Sequence, residues 1–240
     1  MRVKLTIEYD GTDFCGWQTQ PNLRTVQSEL ETAIFKLTGE ETRITASGRT
    51  DAGVHALGQV AHFDTQKDLK EKFVGGLNFY LPRDVRVKKA EYVGDDFHAR
   101  FSAKNKTYIY VMYEDKVDSA VLRNRAARVD KLNATAMNRA EPAFVGKHDF
   151  SAFMSTGSDT LTTVRTVTAA SVHRRDGMII FSVSADGFLY NMVRKMAAAL
   201  IQVGKGKMDI CGLKKLLEAG AVFTPVAPPQ GLYLYKVVYQ

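Results

Sequence analysis

An α+β fold with mostly antiparallel strand pairing is predicted by three features of this 240-residue chain. A segment of two-residue hydrophobic period opens the chain, helical patterns fall between strands at irregular intervals, and no strict strand-helix-strand winding emerges. Val3, Leu5, Ile7 and Tyr9 alternate with Lys4, Thr6 and Glu8, so the chain starts as a strand with one buried face, ending at Asp10-Gly11. Thr25 caps a helix whose Val26, Leu30, Ala33, Ile34 and Leu37 share a face, and Gly39 stops it. Extended segments follow at Ile44–Ser47 and Val60–Asp64, then a helix through Leu69–Phe79 that stops before Pro82, then strands at Val85–Val93 and Thr107–Tyr113.

The second half repeats this rhythm. A helix through Ala134–Phe144 precedes strands at Val164–Val172 and Ile179–Ala185. The most regular helix, Leu189–Val203, places Leu189, Met192, Val193, Met196, Leu200 and Val203 on one core-facing stripe. A short helix at Leu213–Leu217 and a strand at Leu232–Val238 complete the pattern. No proline-rich linker divides the halves. The expected join lies near residues 100–115, which makes 1–105 and 106–240 two subdomains sharing one sheet.

Charge is divided unevenly between these halves. Residues 1–120 hold 17 Lys and Arg against 18 Asp and Glu, whereas residues 121–240 hold 16 against 8, which concentrates the net +7 in the second half. Such a surface suits a polyanion such as nucleic acid, and Arg123, Arg125, Arg128, Lys147, Arg174, Arg175, Lys205, Lys207, Lys214 and Lys215 are candidate phosphate contacts. Two cysteines, Cys15 and Cys211, fit a reducing compartment, and no signal segment or membrane-length apolar run is visible, so a cytoplasmic protein is expected.

Several chemistries are not supported. Val203-Gly204-Lys205-Gly206-Lys207 lacks the first glycine and the hydroxyl of a phosphate-binding loop, because Ala199 and Gly206 stand in those places. His55, His62, His98, His148 and His173 are scattered, so no metal is expected. Asp95-Asp96 reads as a solvated loop, and no nucleophile elbow appears.

The segment with chemical character is Ala46-Ser47-Gly48-Arg49-Thr50-Asp51-Ala52-Gly53-Val54-His55. It places one carboxylate between two glycines with a guanidinium two residues earlier. Glycines allow close approach of a ligand, and a nearby Arg⁺ keeps an Asp ionised. Taken alone, the same residues read more simply as a plain turn.

The rest of the chain decides between these readings, because its motifs resemble the tRNA pseudouridine synthase A family nearly end to end. In order they are Glu8-Tyr9-Asp10-Gly11, Phe14-Cys15-Gly16-Trp17-Gln18, Gly48 through His55, Gly58-Gln59-Val60, Leu77-Asn78, Leu81-Pro82, and Phe97 through Ala103. Lys106-Thr107-Tyr108-Ile109-Tyr110, His148-Asp149-Phe150, Val164-Arg165-Thr166, Asn191-Met192-Val193-Arg194 and Pro228 through Leu234 follow. The resemblance implies a pseudouridine synthase fold with two ferredoxin-like halves, a homodimer, tRNA as substrate, and no cofactor. It implies isomerisation of uridine to pseudouridine at tRNA positions 38 to 40, with Asp51 as the catalytic aspartate. Attack on C1′, attack on C6 and abstraction of the C2′ proton all remain open for that carboxylate. By the same match Arg49 and Arg194 pair with Asp51, Tyr108 stacks on the target base, and Leu232 lines the uracil pocket. A noncatalytic RNA-binding protein, or a synthase for another RNA site, are the alternatives.

Overall fold

The computed structural model describes residues 1–68, 72–157, 160–218 and 222–239. Its strands are β1 (Arg2–Tyr9), β2 (Thr45–Ala46), β3 (His55–Asp64), β4 (Val85–Val93), β5 (Asn105–Glu114), β6 (Ala127–Val129), β7 (Gly146–Asp149), β8 (Val164–Arg175), β9 (Met178–Ala185) and β10 (Leu232–Val238). The helices are α1 (Val26–Thr38), α2 (Phe73–Tyr80), α3 (Ala134–Ala140), α4 (Met192–Gly204) and α5 (Ile210–Glu218). The fold is α+β with mostly antiparallel pairing, as the sequence predicts.

Chain contacts divide the protein into two compact units, one of residues 1–104 and 233–240, the other of residues 105–232. In the first unit, β1 pairs antiparallel with β3 and β4, β2 pairs antiparallel with β3, and β10 joins β3 in parallel. The order strand, helix, two strands, helix, strand with β1 and β3 central is the ferredoxin-like arrangement. β1 alternates without interruption, and Val3, Leu5, Ile7 and Tyr9 are all buried. α1 begins at Thr25, whose hydroxyl accepts from the Ser28 N–H while the Ser28 hydroxyl accepts from the Thr25 N–H, and ends at Gly39 with φ 75°. The β1–β3 register shifts between Ile7, opposite Gln59, and Tyr9, opposite Ala56. That irregularity adjoins the loop that carries Asp51.

In the second unit the order is β5-β9-β8-β7, all antiparallel, with β6 parallel to β5. α4 packs Met192, Val193, Met196, Leu200 and Val203 into the core along the expected stripe. It begins at Met192 rather than Leu189, because Asn191 takes a left-handed conformation with φ 61° and interrupts the helix there. The single helix expected over Ala134–Phe144 is instead α3 followed by a 3₁₀ turn at Glu141–Phe144. Pro142 lacks the N–H that would continue the α-helical ladder. The short strands β6 and β7 escape the hydrophobic pattern, and residues 69–71 of the expected Leu69–Phe79 helix lie outside the described residues.

Candidate active site

Asp51 and Arg49 belong to the first unit, and Tyr108, Arg194 and Leu232 to the second. In the first unit the residues around Asp51 are fastened from several sides. Behind it, Val54 N–H donates to the Asp51 carbonyl at 3.2 Å, closing a four-residue turn whose third residue, Gly53, has φ 76°. A turn of this kind needs a positive φ at that position, which glycine supplies without strain. Ahead of it, the Thr50 carbonyl accepts from Trp17 N–H at 3.0 Å, and the Thr50 hydroxyl meets the Tyr9 hydroxyl at 2.7 Å.

Gln59 completes the frame. It is fully buried, its Oε1 accepts from the Ser47 hydroxyl at 2.7 Å, and its Nε2 donates to the Gly48 carbonyl at 2.9 Å and weakly to Tyr9 at 3.4 Å. Ser47 is tied by its own N–H to the Val60 carbonyl at 2.7 Å. Burial pushes the Tyr9 hydroxyl up to about 12, partly offset by Thr50 and Gln59, so it stays protonated and hydrogen bonding. Gly16, with φ 88°, brings its loop so close that an added Cβ would lie 2.7 Å from the Thr50 carbonyl oxygen. Asp51 itself is half-buried. The backbone that carries this carboxylate is therefore fixed by its neighbours before any ligand arrives.

Arg49 is exposed and forms no ion pair among the described residues. Farther along, buried His55 accepts at Nδ1 from Gly11 N–H at 3.0 Å, lies 3.2 Å from Asp10 Oδ1, and stacks on Tyr233 with ring centres 4.6 Å apart.

In the second unit Tyr108 is buried on β5 with its ring edge-on to Phe188, centres 5.1 Å apart. Tyr110, two residues on, is fully buried and donates to the Pro228 carbonyl at 2.8 Å. Burial pushes its hydroxyl well up, opposed by the charge of Arg194. Arg194 donates from Nε to the Ala227 carbonyl at 2.7 Å and from Nη1 to Asn191 Oδ1 at 2.8 Å. Adjacent carbonyls of one segment thus hold both Tyr110 and Arg194. Leu232 is buried at the start of β10. Of the supporting residues, Tyr9, Gln59 and Asn191 lie within the matched motifs, whereas Phe188 lies outside them.

The basic candidates are all exposed but differ in engagement. Arg174 forms a bidentate pair with Glu114 at 2.7 and 2.8 Å and also reaches the Leu132 carbonyl. This holds the Glu114 carboxyl below its ordinary range. Arg128 pairs with Asp118, Arg175 with Asp176 and Lys205 with Asp130. Arg123, Lys147 and Lys207 form no ion pair among the described residues, and Arg125 is exposed. Lys214 and Lys215 are exposed on α5. Both cysteines are free thiols, and among the described residues no cluster of His, Cys, Asp or Glu could hold a metal ion. No helix among them is long and apolar enough to cross a membrane.

Comparison with known proteins assigns the class. The family model described as tRNA pseudouridine synthase matches residues 5–102 and 140–240. Relatives named tRNA pseudouridine synthase A from Acetivibrio thermocellus, Ruminiclostridium cellulolyticum and Caldicellulosiruptor saccharolyticus are 46%, 45% and 43% identical, each covering 99% of both chains. The chain belongs to the tRNA pseudouridine synthase A family, a family of isomerases. A solved Cbf5-Nop10-Gar1 complex aligns at 13% identity and a TM-score of 0.32 over 82% of this chain and 54% of that one, a likeness too slight to carry an argument.

Proposed function

We propose that this protein isomerises uridine to pseudouridine in the anticodon stem-loop of tRNA, at positions 38 to 40, with Asp51 as its catalytic carboxylate. The observation that carries this reading is the frame around Asp51, together with 46% identity over 99% of a relative named tRNA pseudouridine synthase A. In the reaction the N1–C1′ bond breaks, uracil turns, C5 bonds to C1′, the C5 proton leaves and N1 takes one up. The atoms of substrate and product balance without a redox partner. Asp51 acts either as nucleophile or as base at C2′, Tyr108 stacks on the extruded uracil, Leu232 packs against it, and Arg49 and Arg194 supply positive charge. Exposed cations of the second unit, with Arg123, Lys147, Arg175 and Lys207 foremost, take the phosphates of a tRNA read by shape. The protein works as a cytosolic homodimer.

The test is release of tritium from tRNA labelled at uridine C5, for the wild type beside Asp51→Asn and Asp51→Ala. Turnover by the wild type and none by either variant is expected. Wild-type silence on anticodon arms with uridine at 38, 39 and 40 ends the proposal. Turnover by both variants removes Asp51 from its role and leaves the class standing.

A further inference from the structure

Asn191 opens α4 in an unusual way. An asparagine at a helix start ordinarily takes an extended backbone and accepts a hydrogen bond from the first turn. Here its backbone is left-handed, with φ 61° and ψ 6°, and its side chain makes no capping bond. A non-glycine residue in that region carries strain that the surrounding structure must sustain. The carboxamide is used elsewhere. Its Nδ2 donates to the Ser155 hydroxyl at 3.1 Å, and its Oδ1 accepts from Arg194 Nη1 at 2.8 Å. Because a guanidinium only donates, the amide oxygen must be the atom that faces it, so the orientation of the amide is determined.

The far end of this bridge is itself anchored. Ser155 N–H donates to the Tyr190 carbonyl at 3.1 Å, and the buried Lys195 ammonium donates to the Met154 carbonyl at 2.9 Å. The second hold on Arg194 is equally firm. Its Nε donates to the Ala227 carbonyl at 2.7 Å, and Ala227 N–H donates back to the Arg194 carbonyl at 3.2 Å. Two donors on different nitrogens, each bound to a fixed acceptor, set both the position and the plane of the guanidinium.

We infer that Asn191 is a positioning residue, whose strained backbone lets its amide brace Arg194 against Ser155 in the orientation that uridine isomerisation needs. The inference rests on the role proposed above for Arg194.

Asn191→Gly separates the two contributions, since glycine keeps a positive φ without strain and deletes only the amide. Asn191→Asp keeps an acceptor for Arg194 and tolerates the same backbone. Single-turnover tritium release, tRNA affinity by filter binding and thermal unfolding are measured for both, beside Arg194→Ala. For Asn191→Gly the expected result is an unfolding temperature no lower than wild type, nearly unchanged affinity, and a rate lowered about 10- to 100-fold. Asn191→Asp is expected to recover a large part of that loss. A wild-type rate in Asn191→Gly overturns the inference, as does an Asn191→Asp rate no better than that of Asn191→Gly. A slow Arg194→Ala beside a fast Asn191→Gly ends this inference alone, whereas a wild-type rate in Arg194→Ala ends the proposed role of Arg194 together with it.

Discussion

The phenolic oxygen of Tyr9 lies 2.7 Å from the hydroxyl oxygen of Thr50, both side chains being out of solvent and 41 residues apart in the chain. One end of this contact is the last residue of β1, the other the residue before Asp51. A strand of the first unit's sheet therefore grips the loop next to its carboxylate. Removing one hydroxyl leaves the other buried with less to bond, a loss of about 1–3 kcal/mol. Tyr9→Phe and Thr50→Val are each expected to lose stability on that scale and to slow tritium release. In urea denaturation the double variant should cost less than the sum of the two by at least about 0.5 kcal/mol. Additive costs would show that the hydroxyl pair does not hold the loop.

Gly16 and Gly39 have similar backbones, φ 88° and 75°, but different surroundings. A Cβ at Gly16 would lie 2.7 Å from the Thr50 carbonyl oxygen, whereas at Gly39 it would meet nothing within 4 Å. Gly39→Ala is expected to lose only the left-handed penalty of about 1 kcal/mol. Gly16→Ala adds a backbone collision, for a total of roughly 2–4 kcal/mol, and shifts the residue that precedes Asp51. Unfolding and turnover check both variants. Equal losses in the two, with turnover intact, would remove Gly16 from the support of the site.

Glu141 supplies a pH dependence. It is buried, its Oε2 has no hydrogen-bond partner among the described residues, and desolvation raises it from 4.5 to about 7. Below pH 4.5 both folded and unfolded chains hold the proton, so its contribution is fully present. Between 4.5 and about 7 the unfolded chain releases the proton first, and stability falls as pH rises through that window. Glu141→Gln mimics the protonated form. It is expected to match wild type at pH 4 and to exceed it by about 1–2 kcal/mol at pH 8, the full shift being discounted for partial solvation. Equal gains at both pH values would mean that charge is not the cause.

Arg174 and Arg175 are neighbours with different duties. Arg174 is bound to Glu114 and the Leu132 carbonyl, whereas the Arg175 side chain is 84% exposed beside Asp176. Exposed pairs of the second kind contribute little to stability, so Arg175 can exchange its partner for a phosphate. Arg175→Ala and Lys207→Ala are expected to leave the unfolding temperature unchanged and to flatten the slope of log affinity for tRNA against log salt by nearly 1 each. Arg174→Ala is expected to lower the unfolding temperature by stranding Glu114. Unchanged slopes would exclude Arg175 and Lys207 from phosphate contact.

Local patterns reached most of the framework. β4 and β10 have the bounds expected of the extended segments in the sequence, and α1 starts and stops at Thr25 and Gly39, because strand composition and helix caps are properties of a few consecutive residues. At two misplaced helix boundaries a local conformation intervened, Pro142 after α3 and the left-handed Asn191 before α4, whereas β3 and β8 run longer than expected, from His55 and to Arg175. The three- and four-residue strands β6 and β7 are too short for any period to register.

By itself the sequence determined the fold class, the family and the motif that carries Asp51, since ordered residue types survive without coordinates. Only the tertiary structure decided what holds that motif and Arg194 in place. Tyr9 and Thr50 are 41 residues apart, Gln59 and Tyr9 are 50, and Asn191 and Ser155 are 36. Hydrogen bonds at such separations leave no periodic trace, because each partner's type is compatible with many local roles and only chain folding selects the one it meets.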